Sequence, residues 1–178
     1  MVAMRKVSFD ELYEVALNAR GAIDRIYLHW SAGTYENADE DYHVNVDGDG
    51  DVLIDTADLT EVKAHTWHRN SNAVGVSMLC CAGARCWADG RIDFGDYPPT
   101  DAQIEGMAKV VAVLCEGLGL DVNGSNVMTH CEAAELDGYG PSTTCERWDL
   151  WFLRDYDGAL RPGGDVIRGK AVWYRDKG

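Results

Sequence analysis

Apolar residues Leu12, Val15, Ala16 and Ala19 recur at helical spacing behind Ser8-Phe-Asp-Glu11, the spelling of a capping box. The pattern predicts a first helix over residues 8–20. The apolar run from Ile23 to His29 then reads as a buried strand. Tyr42-His-Val-Asn-Val46 and Val52-Leu-Ile54, joined through Asp47-Gly-Asp-Gly50, read as a hairpin with Asp-Gly turn chemistry. Ala73 to Cys80 is a further buried strand, and Val127-Met-Thr129 a short one running into His130. Thr100-Asp-Ala-Gln103 opens a long helix to about Gly117, with Ile104, Met107, Ala108, Val111 and Leu114 on one face. A last helix is expected over residues 147–153, and the stretch after Gly158 reads only as a Gly- and charge-rich extension.

Strands interspersed with helices predict a mixed α/β fold: one central mixed sheet flanked by helices. We expect a catalytic domain over residues 1–158, with residues 159–178 as an extension of it too short to fold alone.

Composition narrows the function. The chain has 178 residues, 46% of them hydrophobic and 26% charged, ordinary for a soluble globular domain. A formal net charge of −14 argues against nucleic acid, whose phosphates this surface would repel. There is no apolar run long enough to span a membrane and no apolar segment after Arg5-Lys6 of the kind a secretory signal carries. Synthesis in the cytoplasm is therefore expected, with free thiols at the six cysteines, and a monomer. The acidic run Asp47, Asp49, Asp51 fails as a calcium loop, because Val52 stands where the turn needs Gly.

His29 and His130 each end an apolar run, and Cys145 lies in Thr143-Thr144-Cys145-Glu146-Arg147-Trp148-Asp149. Two imidazoles and one thiolate leave a tetrahedral zinc ion one open position, the arrangement of a catalytic zinc. A single His at a strand end is more often a satisfied polar residue; the case strengthens through concurrence of several segments.

Tyr-Leu-His29-Trp-Ser-Ala, Tyr42-His43-Val-Asn-Val-Asp-Gly-Asp-Gly, the stretch from Ala64-His65 through Asn72 to Gly75, Val-Met-Thr-His130 and Cys145-Glu-Arg-Trp-Asp149-Leu occur in one order. Together, over residues 23–153, they resemble the N-acetylmuramoyl-L-alanine amidases of the type 2 amidase and peptidoglycan-recognition-protein superfamily, which includes phage lysozyme-amidases. The resemblance implies His29, His130 and Cys145 as ligands of Zn²⁺, with Thr143 aimed at the reacting carbonyl. It implies Tyr42 as the residue orienting the attacking water, since Ser77 stands where other members carry Glu. The interval between His130 and Cys145 is longer than in compact relatives, and Asp149 and Glu132 stand as alternative third ligands. Asp149 otherwise reads as a brace for the last helix, and Cys131 as a packing residue pointing away from the metal by strand alternation.

Such a zinc ion lowers the pKa of its bound water to roughly 7 and polarises the scissile carbonyl. Thr143 or His65 would stabilise the developing oxyanion, worth on the order of 10²–10³ in rate. Trp67 and Asn72 are the substrate-binding candidates, and His68 reads as an exposed loop residue. The expected reaction is hydrolysis of the amide between N-acetylmuramic acid and L-alanine in peptidoglycan. A phage or prophage endolysin, made without a signal and acting on the wall after release, fits best. The alternatives are a non-catalytic peptidoglycan-binding module and a cytoplasmic amidase recycling soluble muropeptides.

Overall fold

The computed structural model describes residues 4–140 and 146–177. Four strands form the parallel heart of a six-stranded mixed sheet: β2 (Arg25–Trp30), β3 (Val44–Val46), β5 (Ala73–Met78) and β8 (Val127–Thr129). Both β5 and β8 pair with β2 in parallel, with His29 in register with Ser77 and Leu28 with Thr129. Strand β3 lies parallel to the other edge of β5. Outside it come β4 (Val52–Ile54) and β1 (Arg5–Val7), each antiparallel to its inner neighbour. The mixed α/β architecture expected from the alternation of patterns is the one observed.

One face of the sheet carries the core. Ile26, Leu28, Val44, Val46, Val74 and Val76 pack with Leu12, Val15 and Ala16 of α1 (Phe9–Asn18) and Met107, Val111 and Leu114 of α2 (Asp101–Leu118). Ser8 caps α1, and Thr100 with Gln103 forms a reciprocal capping box at α2. Because side chains alternate along a strand, Tyr27 and His29 face the opposite side. The hairpin turn holds itself together: Asp47 Oδ1 accepts from the backbone N–H of Asp49 and Asp51 at 3.1 and 2.9 Å.

One expectation fails. Residues 147–153 are not a helix: residues 146–150 are turns, and Phe152–Arg154 is β9, pairing with β10 (Leu160–Pro162). Leu150 has φ of 58°, which breaks a right-handed helix while still burying its side chain. The extension after Gly158 is structured, completing that ribbon and forming α4 (Gly163–Lys177), which buries Val166, Ile167 and Ala171 in the main core. A small ribbon of β6 (Arg85–Cys86) and β7 (Ile92–Asp93) completes the strands. No described helix is long and apolar enough to cross a membrane, and the five described cysteines are free.

Candidate metal centre and cleft

The open face of the sheet meets the 18-residue connection 55–72 and the helix α3 (His130–Asp137). A connection this long without regular structure is usually functional, and here it is pinned at several points. Leu59 is fully buried, Lys63 Nζ donates to Asp55 Oδ2 at 2.6 Å and to the Glu40 carbonyl at 2.8 Å, and His43 Nε2 lies 2.8 Å from the Glu61 carbonyl. At its far end, Arg69 makes a two-pronged pair with Asp137 at 2.6 and 2.7 Å and reaches the Tyr27 hydroxyl at 3.0 Å.

His29 sits near the carboxyl end of β2. His130 is the first residue of α3, not the end of a strand, with Thr129 and Glu132 forming the capping box there. Strand alternation therefore does not govern Cys131; its buried thiol lies 2.8 Å from the Arg147 carbonyl, and burial pushes its pKa up to about 12. Between the two imidazoles lies Asp149. Its Oδ2 is 2.7 Å from His29 Nδ1 and 3.0 Å from His130 Nδ1, and its Oδ1 accepts from the Trp30 backbone N–H at 2.8 Å. Among the described residues, His29, His130 and Asp149 form the one group of three ligating side chains, with donor atoms within 4.8 Å of one another, all buried.

The protonation states suit a cation. Burial pushes His29 down against the pull of Asp149, so its imidazole is neutral. Burial alone would raise Asp149, but the two imidazoles outweigh it and hold the carboxyl below its ordinary range. Neutral imidazole and ionised carboxylate are the forms in which these groups bind metal. Two ring nitrogens converge on one carboxylate oxygen, so a proton or a cation must lie among them; the donor set fits zinc.

Beside this centre opens a cleft of about 470 Å³ lined by His65, Thr66, Trp67, Asn70, His130, Tyr139 and Glu146. A larger groove of about 610 Å³ lies between α4, Glu105 and the β9–β10 turn, but it brings together no ligating group of the kind His29 forms.

The cleft gathers several of the sequence-derived candidates. The Tyr42 ring packs 5.0 Å from that of His29. Trp67 is 57% exposed and meets the Tyr139 ring edge-on at 4.8 Å, and His68 beside it is exposed. His65 lines the wall, but Nδ1 faces Thr66 Oγ1 at 2.9 Å, while Nε2 is buried against the Ala73 backbone without a well-formed hydrogen bond. Burial, reinforced by the neighbouring imidazoles, pushes its pKa down to about 2. Asn72 is not brought here. It precedes β5, roughly 16 Å of strand from Ser77, the partner of His29, at about 3.3 Å per residue. Asn70 lines the cleft instead, accepting from the Thr66 N–H at 2.7 Å. Glu132 is committed to its cap and to Arg168, at 2.8 Å. Thr143 and Cys145 lie outside the described residues.

Sequence reasoning missed Thr66, whose Oγ1 lies 3.2 Å from His29 Nε2, and Tyr139, whose hydroxyl lies 2.9 Å from His130 Nε2. It held Asp149 as an alternative third ligand and otherwise as a brace.

The type 2 amidase family, described as N-acetylmuramoyl-L-alanine amidase, matches residues 19–148. The chain belongs to this family. No curated protein matches it significantly. Among solved structures, it is similar to the endolysin N-acetylmuramoyl-L-alanine amidase LysCS of Clostridium intestinale, at 14% identity and TM-score 0.45, over 68% of this chain and 74% of that one. A peptidoglycan recognition protein of Alvinella pompejana (PGRP-Hd) aligns at 19% identity and TM-score 0.41, over 72% and 77% of the two chains. Drosophila PGRP-SA aligns at 13% identity and TM-score 0.45, over 80% and 77%. For this type 2 amidase, membership supports an amidase activity on peptidoglycan.

Proposed function

We propose that this family member is a zinc-dependent enzyme hydrolysing the amide between N-acetylmuramic acid and L-alanine of peptidoglycan, in the role of a phage or prophage endolysin. The observation that carries the zinc reading is the convergence of His29, His130 and Asp149 beside the cleft. His29, Asp149 and His130 would hold the ion. Cys145, four residues before Asp149, is a rival third donor.

Zinc at this position supplies a Lewis acid and makes hydroxide available near neutral pH. The chain's own residues do the rest. Tyr42, packed on His29, holds the attacking water by a hydrogen bond. Trp67, exposed at the cleft rim, offers an aromatic face to the sugar or stem peptide. Thr143 remains the candidate donor to the developing oxyanion. His65 acts through Thr66, because neither of its nitrogens opens to the cleft.

The test is release of L-alanine amino termini from sacculi, with metal analysis of the purified protein. We expect amino termini without new reducing sugars, loss of release with chelator, and recovery on adding zinc. Sacculus binding without release would leave only a recognition module. Release from soluble muropeptides alone would move the role to recycling. Tyr42→Phe should keep zinc and lose about a hundredfold in turnover.

A further inference from the structure

We propose that the hydroxyls of Thr66 and Tyr139 are positioning groups that hold Nε2 of His29 and His130, so that both Nδ1 atoms face the oxygen of Asp149. The inference rests on the metal reading above and deepens it. His29 reaches Thr66 Oγ1 at 3.2 Å, and His130 reaches the Tyr139 hydroxyl at 2.9 Å. The opposite nitrogen of each ring meets the same Asp149 Oδ2, at 2.7 and 3.0 Å. A neutral imidazole has one proton. Placed on Nε2, where a hydroxyl accepts it, it leaves the Nδ1 lone pair aimed at the centre. With a cation bound there, both rings would hold that tautomer at once.

The surroundings are built for the arrangement. Thr66 Oγ1 lies between two imidazoles, 3.2 Å from His29 Nε2 and 2.9 Å from His65 Nδ1. One hydroxyl can accept from the first and donate to the second; with the His65 proton on Nε2, facing the Ala73 backbone, its Nδ1 accepts and sets that direction. The Tyr139 backbone carbonyl accepts from Arg147 Nε at 2.8 Å. The Arg69–Asp137 pair ties the segment carrying Thr66 to the helix leading to Tyr139. Both hydroxyls thus come from elements fastened to each other, and the two imidazoles inherit that fixed spacing. The Tyr139 ring also forms part of the cleft wall against Trp67, so one residue touches both the substrate path and a ligand.

Partners of this kind, behind a metal ligand, typically change metal affinity 10–100-fold when lost. Tyr139→Phe keeps the ring and removes only the oxygen; Thr66→Val does the same in shape, and Thr66→Ser restores the hydroxyl. Zinc affinity is read by competition with a chromophoric chelator. Histidine tautomers are read from side-chain ¹⁵N shifts of the full-length protein with and without zinc, with circular dichroism reporting the fold. We expect Tyr139→Phe and Thr66→Val each to weaken zinc 10–100-fold and shift the signals of His130 and His29 respectively, while Thr66→Ser keeps both parental. Zinc affinities within twofold of the parent in both variants would overturn the proposal. If the parent binds no zinc, the metal reading fails by itself. The ¹⁵N shifts then decide the positioning role: tautomers unchanged in Tyr139→Phe and Thr66→Val refute it, and a shift confined to the partnered ring supports it.

Discussion

The His65 ring lies directly over Gly75: a Cβ at position 75 would stand 2.6 Å from His65 Cγ and 2.7 Å from Cδ2. Only a residue without a side chain lets the wall of the cleft rest on the central strand. Gly75→Ala should displace His65, and with it Thr66 and the orientation of His29. The expected cost is about 1–3 kcal/mol of stability, the range for overpacking, with a parallel loss of zinc affinity. Adding His65→Ala should recover much of the stability but not the affinity. Thermal melts and chelator competition on the three variants check this; a Gly75→Ala protein with parental values on both counts would show that the contact relaxes freely.

Asp149 and Cys145 make opposite claims on the third ligand position, and two conservative changes separate them. Asp149→Asn preserves shape and leaves Oδ1 able to accept from the Trp30 N–H, yet removes the charge that faces both imidazoles. We expect it to lose zinc by at least a hundredfold, while Cys145→Ser keeps a stoichiometric ion. Metal content by atomic absorption decides the matter, and the reverse result would assign the site to the thiolate.

How far the sequence foretold this centre depends on the kind of signal each residue carries. Strands β2 and β5 were legible because they are buried on both faces and read as largely apolar runs, β8 as a shorter one, and His29 and His130 stood out at the ends of such runs. Asp149 lay inside a recognised motif, but linear spacing does not say which donor turns inward, and Leu150 in the left-handed region ended the helix expected there. Tyr139 fell within a stretch that reads as an insertion, and nothing in its neighbours marks a bond to His130. Helix α4 was hidden by Gly163, Gly164 and Gly169, which dilute its apolar stripe; packing on α2 and the sheet supplies what propensity does not.

Arg69 and Asp137 join the two walls of the cleft through a bidentate pair, the geometry in which such pairs are strongest. Both side chains are partly exposed, so solvent screens them, and Arg69→Met should cost no more than about 1 kcal/mol of stability. Its effect on activity should be larger in proportion, because the pair fixes the relative placement of Thr66 and Tyr139. We expect several-fold lower kcat/KM in Arg69→Met and in Asp137→Asn, with the double variant no worse than either. Additive losses in that cycle would mean that the two residues act independently.

His43 sets a dependence of stability on pH. Its Nδ1 accepts from the Gly75 N–H at 3.0 Å and its Nε2–H donates to the Glu61 carbonyl at 2.8 Å, so the neutral ring is fully used. Protonation would place a second N–H against that of Gly75. Burial lowers the folded-state pKa, helped by the nearby Lys63 and opposed by the Glu61 carbonyl and by Asp55. With the folded value below the unfolded value of about 6.5, the unfolded chain binds the extra proton first. Stability is therefore full above about pH 6.5 and falls as pH drops through and below it, by about 1.4 kcal/mol for each unit of depression. His65, held at about 2, contributes with the same sign. Urea midpoints at pH 7.5 and pH 5.0 should differ for the parent and differ less for His43→Gln. Equal pH sensitivity in the two proteins would place the acid-labile group elsewhere.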